Sequence, residues 1–209
     1  MKKMNPLSRF ESQPFFTIES LKSRSKQNLV PLIKYNLKTG KIMKLKKGVY
    51  VYASYIEKLR YAGTYEDYLE FIANKLISSS YLSGEYMLSR YSILSESPST
   101  LTSITQKTTR IIENEMGNFS YSNIKEQLFC GFLIEKKGEF SIFKATKAKA
   151  LFDFLYLKKR ILRVVNEEVM QEFRFNLDEF SKDDKEELSK YLDLSQSLKL
   201  MKIFRLLLR

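Results

Sequence analysis

The sequence contains no histidine, no tryptophan and a single cysteine, Cys130. Histidine is the commonest general base and zinc ligand, so its absence excludes Ser-His and Cys-His catalytic arrangements and argues against an enzyme. A lone cysteine cannot form an internal disulfide. The apolar neighbours of Cys130, in Leu-Phe-Cys-Gly-Phe-Leu, predict a buried thiol. We therefore expect no catalytic residue, no metal site and no cofactor.

Glycine and proline are also scarce, with seven and four residues in a chain of 209. This composition argues against a linker-rich or low-complexity protein. No apolar run approaches the roughly 18–20 residues that a membrane span needs. The first residues begin like a signal peptide, but Ser8, Arg9 and Glu11 interrupt the segment that should be apolar. We expect a soluble, cytoplasmic protein that does not associate with membranes.

Positive charge is abundant, and it is concentrated at one end of the chain. Residues 1–60 hold 14 Lys and Arg against three acidic residues, a net charge of +11, whereas residues 61–209 hold 22 against 21. A local excess of this kind is typical of a surface that neutralises phosphates. The densest run, 41–50, alternates like a strand around a glycine turn. It predicts a basic β-hairpin rather than a disordered basic tail.

Two short helices are predicted before this hairpin. Thr17 can cap a helix over 18–23, and a turn follows over 23–27. Asn28 can cap the second helix, because Pro31 then falls in the first turn, where proline is tolerated. The second helix has an apolar face of Leu29, Leu32, Ile33 and Leu37, opposite Lys34, Tyr35 and Lys38. Two helices followed by a hairpin predict a winged helix-turn-helix domain over residues 1–60.

This predicted domain is suited to bind DNA. Lysines on the hairpin can contact phosphates on either side of a groove, while the turn and the second helix can contact bases. The predicted DNA-binding residues are Lys22, Arg24, Ser25, Lys26, Gln27, Lys34, Lys38, Lys41, Lys44, Lys46 and Lys47. The alternative is that the lysines only keep an edge hairpin soluble.

Residues 61–209 predict a mixed α/β (α+β) domain that ends in helices. Helices are predicted over 66–76, 84–91, 145–158, 182–192 and 196–208, and strands over 78–82, 100–106, 110–113, 119–123, 128–133 and 140–143. Asp153 is a lone acid on an otherwise apolar helix, which favours a structural hydrogen bond or ion pair. The last helix is amphipathic and basic, so it either packs or contacts a partner; a membrane-surface helix is the alternative.

Several segments, in order, resemble the AbiEi-type antitoxins. The run Gly40-Lys-Ile-Met-Lys-Leu-Lys-Lys-Gly-Val-Tyr50 resembles the wing of that family, and Ser83–Leu94 followed by Pro98 resembles its short helix after the central strand. Further matches lie at 105–110, 117–121, 128–131 and 145–153. The resemblance covers about residues 15–160. The chain departs from it at Tyr91, where family members often carry histidine.

The resemblance implies a transcriptional repressor and antitoxin of a type IV toxin-antitoxin system used in phage defence. Its N-terminal winged helix would bind operator DNA and repress its own operon. The α/β domain over 61–209 would counteract a co-encoded nucleotidyltransferase toxin, which in this family need not form a stable complex with the antitoxin.

The sequence excludes one alternative function and leaves two others open. The toxin itself is excluded, because nucleotidyltransferases need a Gly-Ser followed by closely spaced carboxylates, and Ser83-Gly84 has only Glu85 nearby. A stand-alone winged-helix regulator with a ligand- or partner-sensing C-terminal domain remains open. So does an RNA- or protein-binding module that uses the same basic face.

Overall fold

A computed structural model describes residues 7–22, 29–178 and 180–208 of the chain. Its contacts divide the chain into two compact units: Met1–Ile72 with Ile112–Gly117, and Ala73–Ile111 with Asn118–Arg209. The division that we expected at residue 60 lies inside a helix. The first unit extends further because Tyr68 belongs to its core, where the Tyr68 hydroxyl donates to the Pro14 carbonyl at 2.7 Å.

The first unit combines short helices with a three-stranded antiparallel sheet of order β1-β3-β2. After a 3-10 turn at Ser8–Phe10, its elements are β1 (Phe16–Thr17), α1 (Ile18–Lys22), α2 (Val30–Lys38), β2 (Ile42–Lys46), β3 (Val49–Tyr52), α3 (Ala53–Tyr61) and α4 (Tyr65–Leu76). The two predicted helices and the hairpin are present. The sequence did not predict β1, which adds only two residues to the sheet, or α3.

Local side-chain chemistry explains the helix boundaries in this unit. The Ser20 amide donates to the Thr17 hydroxyl at 3.1 Å, so Thr17 begins α1 as predicted. Leu29 precedes α2 without a side-chain cap, and Pro31 occupies its first turn. The predicted cap, Asn28, lies outside the described residues. Gly40 follows α2 with a φ of +67°, a left-handed conformation that favours glycine and ends the helix.

The second unit contains a six-stranded mixed sheet of order β6-β7-β5-β4-β9-β8. Its elements are β4 (Ser80–Leu82), α5 (Gly84–Arg90), β5 (Thr100–Thr105), β6 (Arg110–Asn114), β7 (Gly117–Asn123), a 3-10 turn (Glu126–Leu128), β8 (Phe132–Lys137), β9 (Phe140–Ala145), α6 (Lys147–Lys158), α7 (Glu167–Gln171), α8 (Lys182–Ser195) and α9 (Leu198–Leu207). Strand β4 pairs parallel with β9 and antiparallel with β5. The predicted mixed α+β class is confirmed.

In the second unit one predicted strand has the wrong bounds and one helix was missed. Residues 128–131 are not part of a strand, because Glu126–Leu128 is a 3-10 turn and Gly131 adopts a φ of +71°. Strand β8 begins only at Phe132 and forms an antiparallel hairpin with β9. The five-residue helix α7 was not predicted, since it is too short to produce a helical repeat.

The core of the second unit is organised around α6. Nine consecutive residues of this helix, Ala148 to Tyr156, are buried. Thr146 caps its first turn, accepting a hydrogen bond from the Lys149 amide at 3.1 Å. No helix in the described part of the chain has the length and apolar character required to cross a membrane.

Candidate functional site

The first unit exposes a set of lysines on α2 and the β2–β3 hairpin, and we call this set the lysine surface. It consists of the exposed Lys34, Lys38, Lys41, Lys44 and Lys47, with the half-buried Lys46 beside them. Sequence reasoning predicted all six as DNA-binding residues. The structure places them within one compact unit.

The pattern of burial explains why these lysines face solvent. On α2 the buried residues are Ile33 and Asn36. On β2 the buried residues are Ile42 and Leu45, and Lys44 is exposed between them where the register of the strand pair is irregular. The hairpin turn is closed by Gly48, whose φ of +81° suits glycine. The hydrophobic pattern of the sequence therefore fixes which side of each element is charged.

The exposed lysines of this surface are electrostatically uncompensated. None of the five forms an ion pair with an acidic residue in the described ranges 7–22, 29–178 and 180–208. Their positive potentials therefore add, and such a surface attracts phosphates and releases counterions when it binds them.

Part of the predicted DNA-binding set cannot be placed on this surface. Arg24, Ser25, Lys26 and Gln27 lie outside the described residues, and so does the side chain of Lys22, the last residue of α1.

The structure adds two residues that sequence reasoning did not assign to the site. Val30 and Tyr35 are 48% and 60% exposed on α2, beside the lysines. Tyr35 was predicted to lie on the outward face of the helix, but the predicted DNA-binding residues were limited to basic side chains and to Ser25 and Gln27 in the turn. An exposed aromatic residue between two lysines was the signal that could have identified it.

The second unit contains the opposite arrangement, a fully buried ion pair. The Lys149 ammonium contacts the Asp153 carboxylate one helical turn later on α6, and both side chains are 0% exposed. Asp153 also accepts hydrogen bonds from the hydroxyls of Ser83, at 2.7 Å, and Tyr81, at 3.0 Å. The ion pair expected for Asp153 is confirmed, and its partner is a lysine that the sequence had not singled out.

Burial and the neighbouring charge have opposite effects on the pKa of Asp153. Desolvation raises the pKa of Asp153, and the Lys149 ammonium opposes that shift. Lys149 lies 5.1 Å from the ring centroid of Phe152 and 5.4 Å from that of Tyr191, so aromatic faces provide part of its solvation. The pair is shielded from solvent, and we assign it no catalytic role.

A second polar group surrounds Tyr191 in the same unit. The Tyr191 hydroxyl donates a hydrogen bond to the carboxylate of Glu187. The Thr146 hydroxyl donates to the same carboxylate at 2.7 Å. Cys130 is half-buried rather than fully buried, and desolvation raises the pKa of its thiol. The predicted burial of Cys130 is therefore only partial, and a thiol with a raised pKa is a poor nucleophile.

The second unit also has a basic cluster of its own. Burial lowers the pKa of Lys159, and the neighbouring cations Lys125, Arg160 and Lys199 lower it further. The Lys159 ammonium lies 3.9 Å from the ring centroid of Tyr156. The second unit therefore also brings several cations close together.

Several cavities open in the described part of the second unit, and two of them are lined by charged residues of α5 and α6 or of the loops beside them. The larger of these two, of about 500 Å³, is lined by carboxylates of Glu85, Glu96 and Glu172 together with Arg174 and aromatic side chains. The smaller, of about 180 Å³, is lined by hydroxyl-bearing residues of β5 and β7 and by Lys158, which pairs with Glu85 at 3.1 Å. Among the residues that the structure describes, no three His, Cys, Asp or Glu side chains converge so as to hold a metal ion.

Comparison with protein-family models, curated proteins and solved structures found no match to this chain.

Proposed function

We propose that this protein is a DNA-binding antitoxin that represses its own operon and counteracts a co-encoded nucleotidyltransferase toxin of a type IV system. The observation that carries the DNA half is the lysine surface: five exposed lysines on one compact unit without acidic partners among the described residues. A surface of this kind is suited to bind a polyanion, because binding releases the counterions condensed on the phosphates.

The topology of the first unit supports a winged helix. Its elements follow the order β1-α1-α2-β2-β3, and its sheet has the order β1-β3-β2. In this interpretation α2 is the recognition helix and the β2–β3 hairpin is the wing. With nine residues, α2 is about 13 Å long. An α-helix of this kind fits the major groove of B-DNA, whereas the deep, narrow major groove of duplex RNA excludes it.

A gel shift with duplex DNA from upstream of the gene tests this half. We expect Lys44→Glu with Lys46→Glu and Lys47→Glu to abolish binding, because each change replaces a phosphate contact by a repulsion. The matched control is Lys136→Glu with Lys185→Glu and Lys190→Glu, which makes the same charge change on exposed lysines of the second unit. Wild-type protein that does not bind at low salt, or a triple wing variant that still binds, would refute DNA binding through the wing.

The antitoxin half is supported by the way two antitoxin-like segments meet. Ser83 begins the segment that resembles the family's short helix, and Asp153 ends the matching segment on α6. Their side chains are joined by a 2.7 Å hydrogen bond inside the core of the second unit. The sequence similarity therefore falls on residues that contact each other, as expected if these segments specify one shared fold.

Co-expression tests the antitoxin half directly. We expect the protein to restore growth of cells that express the product of the adjacent open reading frame, and the triple wing variant to do so as well when both genes are driven by unrelated promoters. Growth arrest that the protein does not relieve would rule out the antitoxin role.

A second candidate function is a winged-helix regulator whose second unit binds a small ligand. The cavity of about 500 Å³ favours it, since this volume is within the range of small-molecule sites. Gene neighbourhood separates the two functions: an adjacent nucleotidyltransferase gene favours the antitoxin, and its absence favours the regulator.

A further inference from the structure

The β2–β3 hairpin is irregular at one position near its tip. Strand β2 lies at one end of the three-stranded sheet, so strand pairing with β3 supports it on one side. The register of this pair shifts between Lys44 and Lys46, which makes Leu45 the extra residue of a β-bulge. A bulge bends its strand and changes the direction of the neighbouring side chains. The two exposed lysines near the tip, Lys44 and Lys47, lie on either side of it.

An asparagine from a distant part of the sequence binds to this bulge. The Asn114 side-chain amide donates a hydrogen bond to the Leu45 carbonyl at 2.8 Å. Asn114 is the last residue of β6 and belongs to the first unit. Its Oδ1 atom accepts a hydrogen bond from the Met116 backbone amide at 2.8 Å, and Met116 is buried. Because both ends of its amide are hydrogen-bonded, the Asn114 side chain is held in one orientation.

This hydrogen bond gives the hairpin a support that strand pairing does not provide. The extra residue of a bulge is left out of the regular ladder, so its backbone groups need another partner. Asn114 is that partner for the Leu45 carbonyl, and it connects the hairpin to a second segment of the unit. A lysine on a segment that is already fixed loses less conformational freedom when it binds a phosphate.

We propose that Asn114 is a positioning residue for DNA binding: by holding the bulge at Leu45, it keeps Lys44 and Lys47 where they contact phosphates. Asn114 acts through the hairpin and carries no charge of its own. This inference rests on the proposed DNA binding and deepens it, because the wing is then completed by a residue 69 positions further along the chain.

The salt dependence of DNA binding tests this role in the full-length protein. The informative variant is Asn114→Ser. Its hydroxyl can still accept the hydrogen bond from the Met116 amide, but it is too short to reach the Leu45 carbonyl. We expect log affinity against log salt to become less steep by about 0.9 if one of Lys44 and Lys47 loses its phosphate, and by about 1.8 if both do. Fluorescence anisotropy with duplex DNA from upstream of the gene measures this.

A general loss of stability would have a different signature. It lowers the fraction of folded protein, so it weakens binding by the same factor at every salt concentration and leaves the steepness unchanged. The matched control is Asn118→Ser, which makes the same change at an exposed position of β7. Amide hydrogen exchange over residues 42–49 is the second readout. Asn114→Ser should accelerate it about fivefold, the factor that corresponds to one intramolecular hydrogen bond, and should leave exchange in α4 unchanged.

The outcomes separate this inference from the proposed function. A salt dependence as steep for Asn114→Ser as for the wild type would overturn the positioning role while leaving DNA binding in place, even if the hairpin exchanged faster. Equal changes in Asn114→Ser and Asn118→Ser would overturn it as well. Absence of wild-type binding to duplex DNA at low salt would overturn the proposed DNA binding and this inference with it.

Discussion

Lysine has opposite roles in the two units. In the first unit, side chains such as Lys34 and Lys44 are exposed and have no acidic partner in the described part of the chain. In the second unit, Lys149 is completely buried against Asp153 and is surrounded by aromatic rings. The exposed lysines cost the fold little and leave their charge available to a ligand. The charge of Lys149 is already neutralised inside the structure.

The comparison teaches that net charge alone does not locate a binding surface. The first unit holds 14 basic and eight acidic residues and the second holds 22 and 16, so both carry a net charge of +6, but Lys149 of the second unit is completely buried. What matters for binding is exposed charge without a partner. Stability and DNA binding should therefore respond to different lysines, and substitutions can test this separation.

The largest expected effect is the loss of the buried pair. Lys149→Met leaves the Asp153 carboxylate buried without its counterion, which should lower the free energy of unfolding by about 3–5 kcal/mol. Denaturant unfolding measures this change. Replacing both residues, by Lys149→Met with Asp153→Leu, should cost less than the single change, because no isolated charge then remains in the core. A single variant as stable as the wild type would contradict the account of the pair.

A smaller loss of stability is expected at Gly131. A Cβ added there would lie 2.0 Å from the hydroxyl oxygen of Tyr191, and the glycine has a φ of +71°. Gly131→Ala should therefore lower the free energy of unfolding by about 2–4 kcal/mol, from overpacking and backbone strain together. Gly138→Ala is the matched control: its φ is also positive but nothing lies within 4 Å of the added carbon, so strain alone, about 1–2 kcal/mol, should remain.

The smallest effect concerns a surface ion pair of the second unit. Glu135 lies 2.6 Å from the ammonium of Lys144 and 2.9 Å from that of Lys137. Hydrogen bonds from these lysines lower the pKa of Glu135 below its usual value. Because the Glu135 side chain is 41% exposed, solvent weakens the interaction, and Glu135→Gln should cost less than about 1 kcal/mol.

The contribution of Glu135 to stability should depend on pH, because its pKa is lowered in the folded protein. A carboxyl group whose pKa is lower in the folded state stabilises the fold above its unfolded pKa, about 4.3 for glutamate, and the benefit disappears as the pH falls through the folded value. The difference between wild type and Glu135→Gln should thus be present at neutral pH and vanish in acid. Glu126→Gln, at an exposed position, serves as the control.

The elements that the sequence predicted best are those with regular patterns. The alternation of lysine and apolar residues from Lys41 to Lys47 predicted the hairpin, and the spacing of apolar residues predicted α6. The predicted strand 128–133 begins too early, because a continuous apolar run does not reveal the break at Gly131, which has a positive φ. The hydroxyl oxygen of Tyr191, which is distant in the sequence, lies 2.0 Å from where a Cβ at position 131 would stand.

The lysine surface and the Lys149–Asp153 pair also differ in how far the sequence predicts them. The lysine surface could be predicted because its lysines and the buried apolar residues are interspersed within two short segments of the sequence. The partner of Asp153 could not, since lysine is almost never fully buried and its burial here depends on aromatic residues from three separate segments. Tyr35 lay on a correctly predicted face but was passed over, because its exposure is informative only once the neighbouring lysines are seen to lack partners.

The salt dependence of duplex DNA binding tests the central claim most directly. One variant replaces Lys34, Lys38, Lys41, Lys44 and Lys47 by glutamine, and its control replaces five exposed lysines of the second unit, Lys125, Lys136, Lys185, Lys190 and Lys202. If each lysine of the lysine surface neutralises one phosphate, the first variant should reduce the steepness of log affinity against log salt by about 4.5, and the control should leave it unchanged. Equal changes in the two variants, or a wild-type affinity that does not depend on salt, would contradict the assignment of DNA binding to the first unit.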